Sequence, residues 1–109
     1  MRSPLTPDAA ELIARRFLAL SDPTRLRIID LLRERGEASV RELTEALGAS
    51  QQNVSKHLAT LHAEGFLARR KQGTSVIYTI SDPAVLDLCE QVCGGIEAQL
   101  SSLEAMLKG

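Results

Sequence analysis

Between Ser50 and Thr60 the sequence SQQNVSKHLAT offers amides, hydroxyls and one cation at spacings suited to reading the edge of a base pair. If the stretch is helical, Val54, Leu58 and Leu61 fall on one narrow apolar stripe that can dock on a core. At about 100° per residue, Gln52, Lys56 and Ala59 then point away from that stripe. Ser55 and Thr60 lie on its flanks, and Gln51 sits near the start. Such a kit of donors and acceptors can discriminate bases in the major groove.

Two further groups carry chemistry. Arg69, Arg70 and Lys71 form a local cationic cluster, with Thr74 close behind, and are candidates for touching phosphates. Cys89 and Cys93 are four residues apart, so on a helix they share a face one turn apart. Thiolates favour soft metals and metalloids, and a thiol pair can also register oxidants or sulfur species. Cysteine equally packs as a small apolar residue in a helix seam, and the sequence leaves these readings open. No Ser/His/Asp or Cys/His arrangement occurs at usable spacing, nor a phosphate loop, so the expectation is a protein that is not an enzyme.

The elements that must position these residues have legible ends. Ser50 is a good N-cap and Gly65 a good stop for the central helix. Upstream, Ser39 to Leu47 predicts a shorter helix, with Ser39 and Glu42 in a capping-box pattern, and Gly48-Ala49 as a tight link. A short helix, a brief turn containing Gly and a longer helix make up the helix-turn-helix arrangement. Downstream, Leu67 to Lys71 and Ser75 to Ile80 predict two strands around Gln72-Gly73-Thr74, a hairpin placed where a wing would be.

Thr6-Pro7-Asp8 opens a first helix, and Ser21-Asp22-Pro23 ends it and starts a second. Leu26, Ile28, Ile29, Leu31 and Leu32 make that second helix apolar over more than half its circumference, so it should be the most buried element. Ser81-Asp82-Pro83 starts a last helix running to about Leu107. Val85, Leu86, Cys89, Val92, Cys93, Ile96, Leu100, Leu103 and Leu107 space its apolar residues near 3.5, the spacing of a helix that packs on another long helix. The rest of the chain is too small to cover so long a stripe. The last helix, with the first, is therefore expected to form a dimer interface. Gly94-Gly95 in its middle marks a close contact or a bend.

The expected fold is mainly α with a small β-hairpin, in the order α-α-α-α-β-β-α, as one domain over residues 1–109. A length of 109 residues suits a single domain. Aromatics are only 3%, which leaves Leu, Ile, Val and Ala to build the core. The net charge of −1 argues against binding nucleic acid through bulk electrostatics, so any phosphate contact must come from local clusters. No stretch approaches the ~20 apolar residues of a membrane span, and the first residues lack the apolar run of a signal peptide. A cytoplasmic protein with reduced thiols is expected.

Three phrases in this order carry a family resemblance: Ala19 to Ile29 (ALSDPTRLRII), Gln51 to Leu58 (QQNVSKHL), and Leu61 with Glu64-Gly65-Phe66-Leu67. Together they resemble the ArsR/SmtB family of winged-helix repressors. The resemblance implies a homodimer that binds a near-palindromic operator in double-stranded DNA and releases it when an effector arrives. It places Gln51, Gln52, Ser55 and Lys56 on the DNA-facing side of the recognition helix and Arg69, Arg70, Lys71 and Thr74 on the wing. It makes His57 a packing and positioning residue; His62 is expected to be more exposed and solvated.

The sensing chemistry departs from the family's patterns. Metal-sensing members carry Cys-Val-Cys before the recognition helix, where this chain has Ser39, Val40 and Arg41. Asp82 matches the first ligand of a zinc site on the terminal helix, but no His follows it there. The effector candidates are thus Cys89 and Cys93, with a soft metal or metalloid ion as one effector and a thiol-reactive species as another; no resident cofactor is implied. The rival function is a winged-helix interaction module without DNA binding, which a gel shift on the region upstream of its own gene would separate.

Overall fold

The computed structural model describes residues 5–108. The reading of the chain's start as no signal peptide falls partly on residues 1–4, outside these. The elements are α1 (Pro7–Leu20), α2 (Pro23–Arg35), β1 (Glu37–Ser39), α3 (Val40–Leu47), α4 (Gln51–Ala63), β2 (Leu67–Gln72), β3 (Ser75–Ile80) and α5 (Ala84–Lys108).

Short side chains beginning each helix set the boundaries by satisfying amides that have no partner within the helix. Thr6 Oγ1 accepts from the Ala9 amide at 3.1 Å. Asp22 Oδ1 accepts from the Thr24 and Arg25 amides at 2.8 and 3.0 Å. Ser39 and Glu42 form the reciprocal capping box, each bond 3.0 Å. Ser50 Oγ accepts from the Asn53 amide at 3.1 Å. Between α3 and α4 the chain turns at Gly48 in the left-handed region, φ 65°, where a side chain would be strained.

The sheet corrects the expected order. It has three antiparallel strands, arranged β1-β3-β2, so the sequence α-α-α-α-β-β-α lacks a strand between α2 and α3. Only three residues long, β1 shows no alternation to detect. Pairing creates it: Ala38 lies opposite Tyr78 and Ser39 opposite Ile77. The hairpin is in register from Leu67 opposite Ile80 to Gln72 opposite Ser75, with Gly73 (φ 64°) in its turn.

Ile28, Ile29 and Leu32 of α2, Leu43 of α3, and Val54, Leu58 and Leu61 of α4 form the centre of the core, closed by Phe66, Leu67 and Tyr78. Buried completely, each large aliphatic contributes roughly 1.5–3 kcal/mol. The expectation that α2 would be the most buried helix needs correction. It buries three residues, as α4 does, and Leu26 is 42% exposed because the outer side of α2 carries no further layer.

The last helix behaves differently along its length. Val85 is buried and Leu86, Leu88 and Cys89 pack against the core, whereas every residue from Glu90 to Lys108 is exposed. No helix among the described residues is long and apolar enough to cross a membrane.

Candidate nucleic-acid interface

The candidate surface is built on α4 from its apolar side outward. Val54, Leu58 and Leu61 are wholly buried, which turns the opposite side of the helix to solvent. There Gln51, Gln52, Ser55, Lys56 and Ala59 line one shallow open depression. These are the residues the helical spacing puts away from the stripe. Ser50 is exposed but its oxygen serves the helix cap. Thr60 is half-buried and its hydroxyl donates to the Lys56 carbonyl at 3.2 Å, so it is less available than the residues of the depression.

A side-chain network fixes α4 against the rest of the molecule. Arg25 of α2 donates through Nε to the Ala19 carbonyl at 2.6 Å and lies 3.2 Å from His57 Nδ1. A guanidinium only donates, so Nδ1 accepts and the ring proton sits on Nε2. The Asp22 carboxylate is 3.9 Å from the same nitrogen. Backbone hydrogen bonds, that from Arg25 foremost, hold the Asp22 carboxyl below its usual range. His57 is thus a positioning residue. His62 is half-buried as well.

The wing separates the cationic cluster. Alternation along β2 puts Arg69 and Lys71 on the face of Leu67, Tyr78 and Val76, and Arg70 on the other face with Gln72 and Ile77. The Arg70 guanidinium meets the Glu37 carboxylate at 2.7 Å and donates to Gln72 Oε1 at 3.1 Å. Hydrogen bonding to Arg70 lowers the Glu37 carboxyl, and the same bond raises the Arg70 guanidinium. Lys56, Arg69 and Lys71 make no ion pair among the described residues. Thr74 is exposed in the hairpin turn.

A family model, "Bacterial regulatory protein, arsR family", matches residues 22–69. The Rv0081 protein of Mycobacterium tuberculosis, known from a crystal structure, superposes with a TM-score of 0.79 at 33% identity, covering 90% of this chain and 97% of that one. The chain belongs to the ArsR family.

Among other members, a probable mercury resistance operon repressor of Streptomyces lividans is 43% identical over 75 residues, 69% of this chain. The chain spans 59% of the length of that curated relative. The homodimeric winged helix-turn-helix DNA-binding domain of Mb0332 from Mycobacterium bovis, a solution structure, has a TM-score of 0.77 at 28% identity. That match covers 93% of this chain and 95% of the other.

Within this ArsR-family fold the three positions compared above with metal ligands, Ser39, Arg41 and Asp82, are otherwise engaged. Ser39 and Glu42 cap α3, and Arg41 pairs with Glu45 at 3.4 Å. Asp82 accepts from the Ala84 amide at 3.1 Å and from Arg16 at 2.9 Å, and Arg16 also lies 4.6 Å over the Phe66 ring. Among the described residues no three His, Cys, Asp or Glu side chains gather as a metal site.

Cys89 is half-buried and Cys93 exposed, and neither is in a disulfide. Burial pushes the Cys89 thiol up, and the hydrogen bond to Glu97 pushes up that of Cys93. Both therefore favour the protonated thiol, a poor nucleophile, and a soft ion would have to displace two protons.

Sequence reasoning missed Glu37, Arg25 and Arg16 as site-organising residues. Glu37 and Arg16 meet partners distant in the chain, and Arg25 joins the nearby Ala19 carbonyl to the distant His57, so no local pattern announces these contacts.

Proposed function

We propose that this chain is a homodimeric, sequence-specific DNA-binding repressor, released from a near-palindromic operator by an effector. The observation that carries the reading is the exposed face of α4: Gln51, Gln52, Ser55 and Lys56 line one open surface, while the buried side of the helix holds them in place. Gln52 and Gln51 read base edges; Lys56, Arg69 and Lys71, with Ser50, Thr60 and Thr74 at the margins, hold phosphates. Arg70 joins them once it leaves Glu37.

The dimer reading rests on surface the chain leaves uncovered. Val92, Ile96, Leu100 and Leu103 of α5 are all more than half exposed, and so are Leu12, Phe17 and Leu18 of α1. A second copy covers this surface and sets the separation of two α4 helices to successive major grooves. Residues 1–109 act as one domain in the cytoplasm, without a membrane partner.

For the effector, Cys89 and Cys93 are the residues that would hold a soft metal or metalloid, or react with a thiol-directed species. One chain supplies two thiols, and the crossing of two α5 helices supplies four. A bound ion would shift the dimer toward a spacing wrong for the operator; a tenfold loss of affinity needs only ~1.4 kcal/mol of coupling.

The test is anisotropy of the full chain on duplexes it selects from a random pool, at rising salt. Binding should weaken steeply with salt, and Gln52→Ala should alter sequence preference as well as affinity. Unchanged selectivity in that variant would remove the base-reading assignment. Absence of sequence-selective binding in the wild type would remove the function.

A further inference from the structure

Of the cationic side chains proposed to touch DNA, Arg70 alone is bound to an anion among the described residues. The sheet order explains how. Arg70 on β2 and Glu37 on β1 are separated by β3, where Ile77 lies directly opposite Arg70. Alternation sets Glu37, Ile77 and Arg70 on one face, so the arginine side chain crosses the middle strand to reach the carboxylate at 2.7 Å. Ile77 is 9% exposed beneath this crossing, although it lies on the side of the sheet away from the helices. Gln72, next but one along β2, holds the guanidinium from a second side.

We propose that Glu37 is an internal competitor for DNA: its carboxylate occupies the Arg70 guanidinium where an operator phosphate would bind, so wing engagement exchanges one anion for another. The proposal rests on the DNA-binding reading and deepens it. A carboxylate and a phosphodiester present the same pair of anionic oxygens to the guanidinium fork. Both side chains of the pair remain about half exposed, 48% and 52%, so water and incoming phosphate reach it, and an exposed pair is weak enough to be displaced. A buried pair would be a fixed structural element; this one is a held charge. Its hold on Arg70 gives way where the array of phosphates along a duplex replaces it, which favours a correctly seated wing over loose encounters.

The experiment is a double-mutant cycle on the full chain, read by anisotropy on a selected duplex at several salt concentrations. Glu37→Gln keeps the shape and removes the charge; it should bind about twofold to thirtyfold tighter, the range expected for releasing one exposed ion pair in each of two subunits. Arg70→Gln should bind more weakly, with a salt slope shallower by about 0.9 per subunit. The double variant should match Arg70→Gln. If Glu37→Gln binds equally or more weakly, Glu37 orients Arg70 and does not compete, and the proposal falls. It also falls if the gain survives in the Arg70→Gln background, since that gain would be long-range charge. A wild-type chain that binds no duplex takes the functional reading down as well, which separates the two failures. Matching thermal unfolding of the variants ties the result to the interface.

Discussion

The central helix α4 and the outer half of α5 carry similar apolar spacing and meet opposite fates. In α4, Val54, Leu58 and Leu61 are wholly buried, so the chain itself closes the stripe and only the polar side is offered. In α5, Val92, Ile96, Leu100 and Leu103 continue a comparable stripe into solvent. Periodicity reports that a helix will pack; it does not report against what. One region is complete within a single chain, whereas the other leaves its stripe uncovered.

Substitutions can break this contrast, and the largest effect belongs to α4. Leu58→Ala should cost about 2–5 kcal/mol of stability, measured by urea unfolding, because the cavity is enclosed on all sides. Next, Ile96→Glu should leave folding nearly untouched yet shift sedimentation from dimer to monomer and weaken operator binding with it. An Ile96→Glu chain that stays dimeric would move the interface elsewhere.

A smaller effect, about 0.5–2 kcal/mol, is expected for Ser39→Ala, which removes the α3 cap. The same box carries a pH signature. The Ser39 backbone bond holds the Glu42 carboxyl below its ordinary 4.5. Its contribution is therefore complete above that value and is lost as the pH falls through the lower folded one. Glu42→Gln should flatten the loss of stability between neutral pH and acid, read from urea midpoints. The smallest stability effect is expected from changing both Cys89 and Cys93 to Ser, which should leave operator binding intact and abolish its release by soft ions or thiol reagents. Undiminished release would dismiss the thiols as sensors.

How much could be read before the structure follows from the range of each interaction. The caps at Thr6, Asp22, Ser39 and Ser50 involve neighbours two or three residues away, so residue order displays them. The outward set on α4 follows from one helical period. By contrast β1 exists because Ala38 pairs with Tyr78, and the Arg70–Glu37 bond joins residues far apart in the chain. Counting Arg69, Arg70 and Lys71 as one cluster ignored the pleat that sends the middle one to the opposite side. The half-burial of His62 and the exposure of Leu26 likewise depend on what the fold sets beside them.

Arg25 gives the molecule a mechanical property. Its guanidinium fastens the last turn of α1, at Leu18 and Ala19, to His57 on α4. A turn of α1 about its axis would therefore pull on α4 through this one side chain. In the proposed dimer, small rotations of α1 would then reach the proposed DNA-facing helix through this linkage.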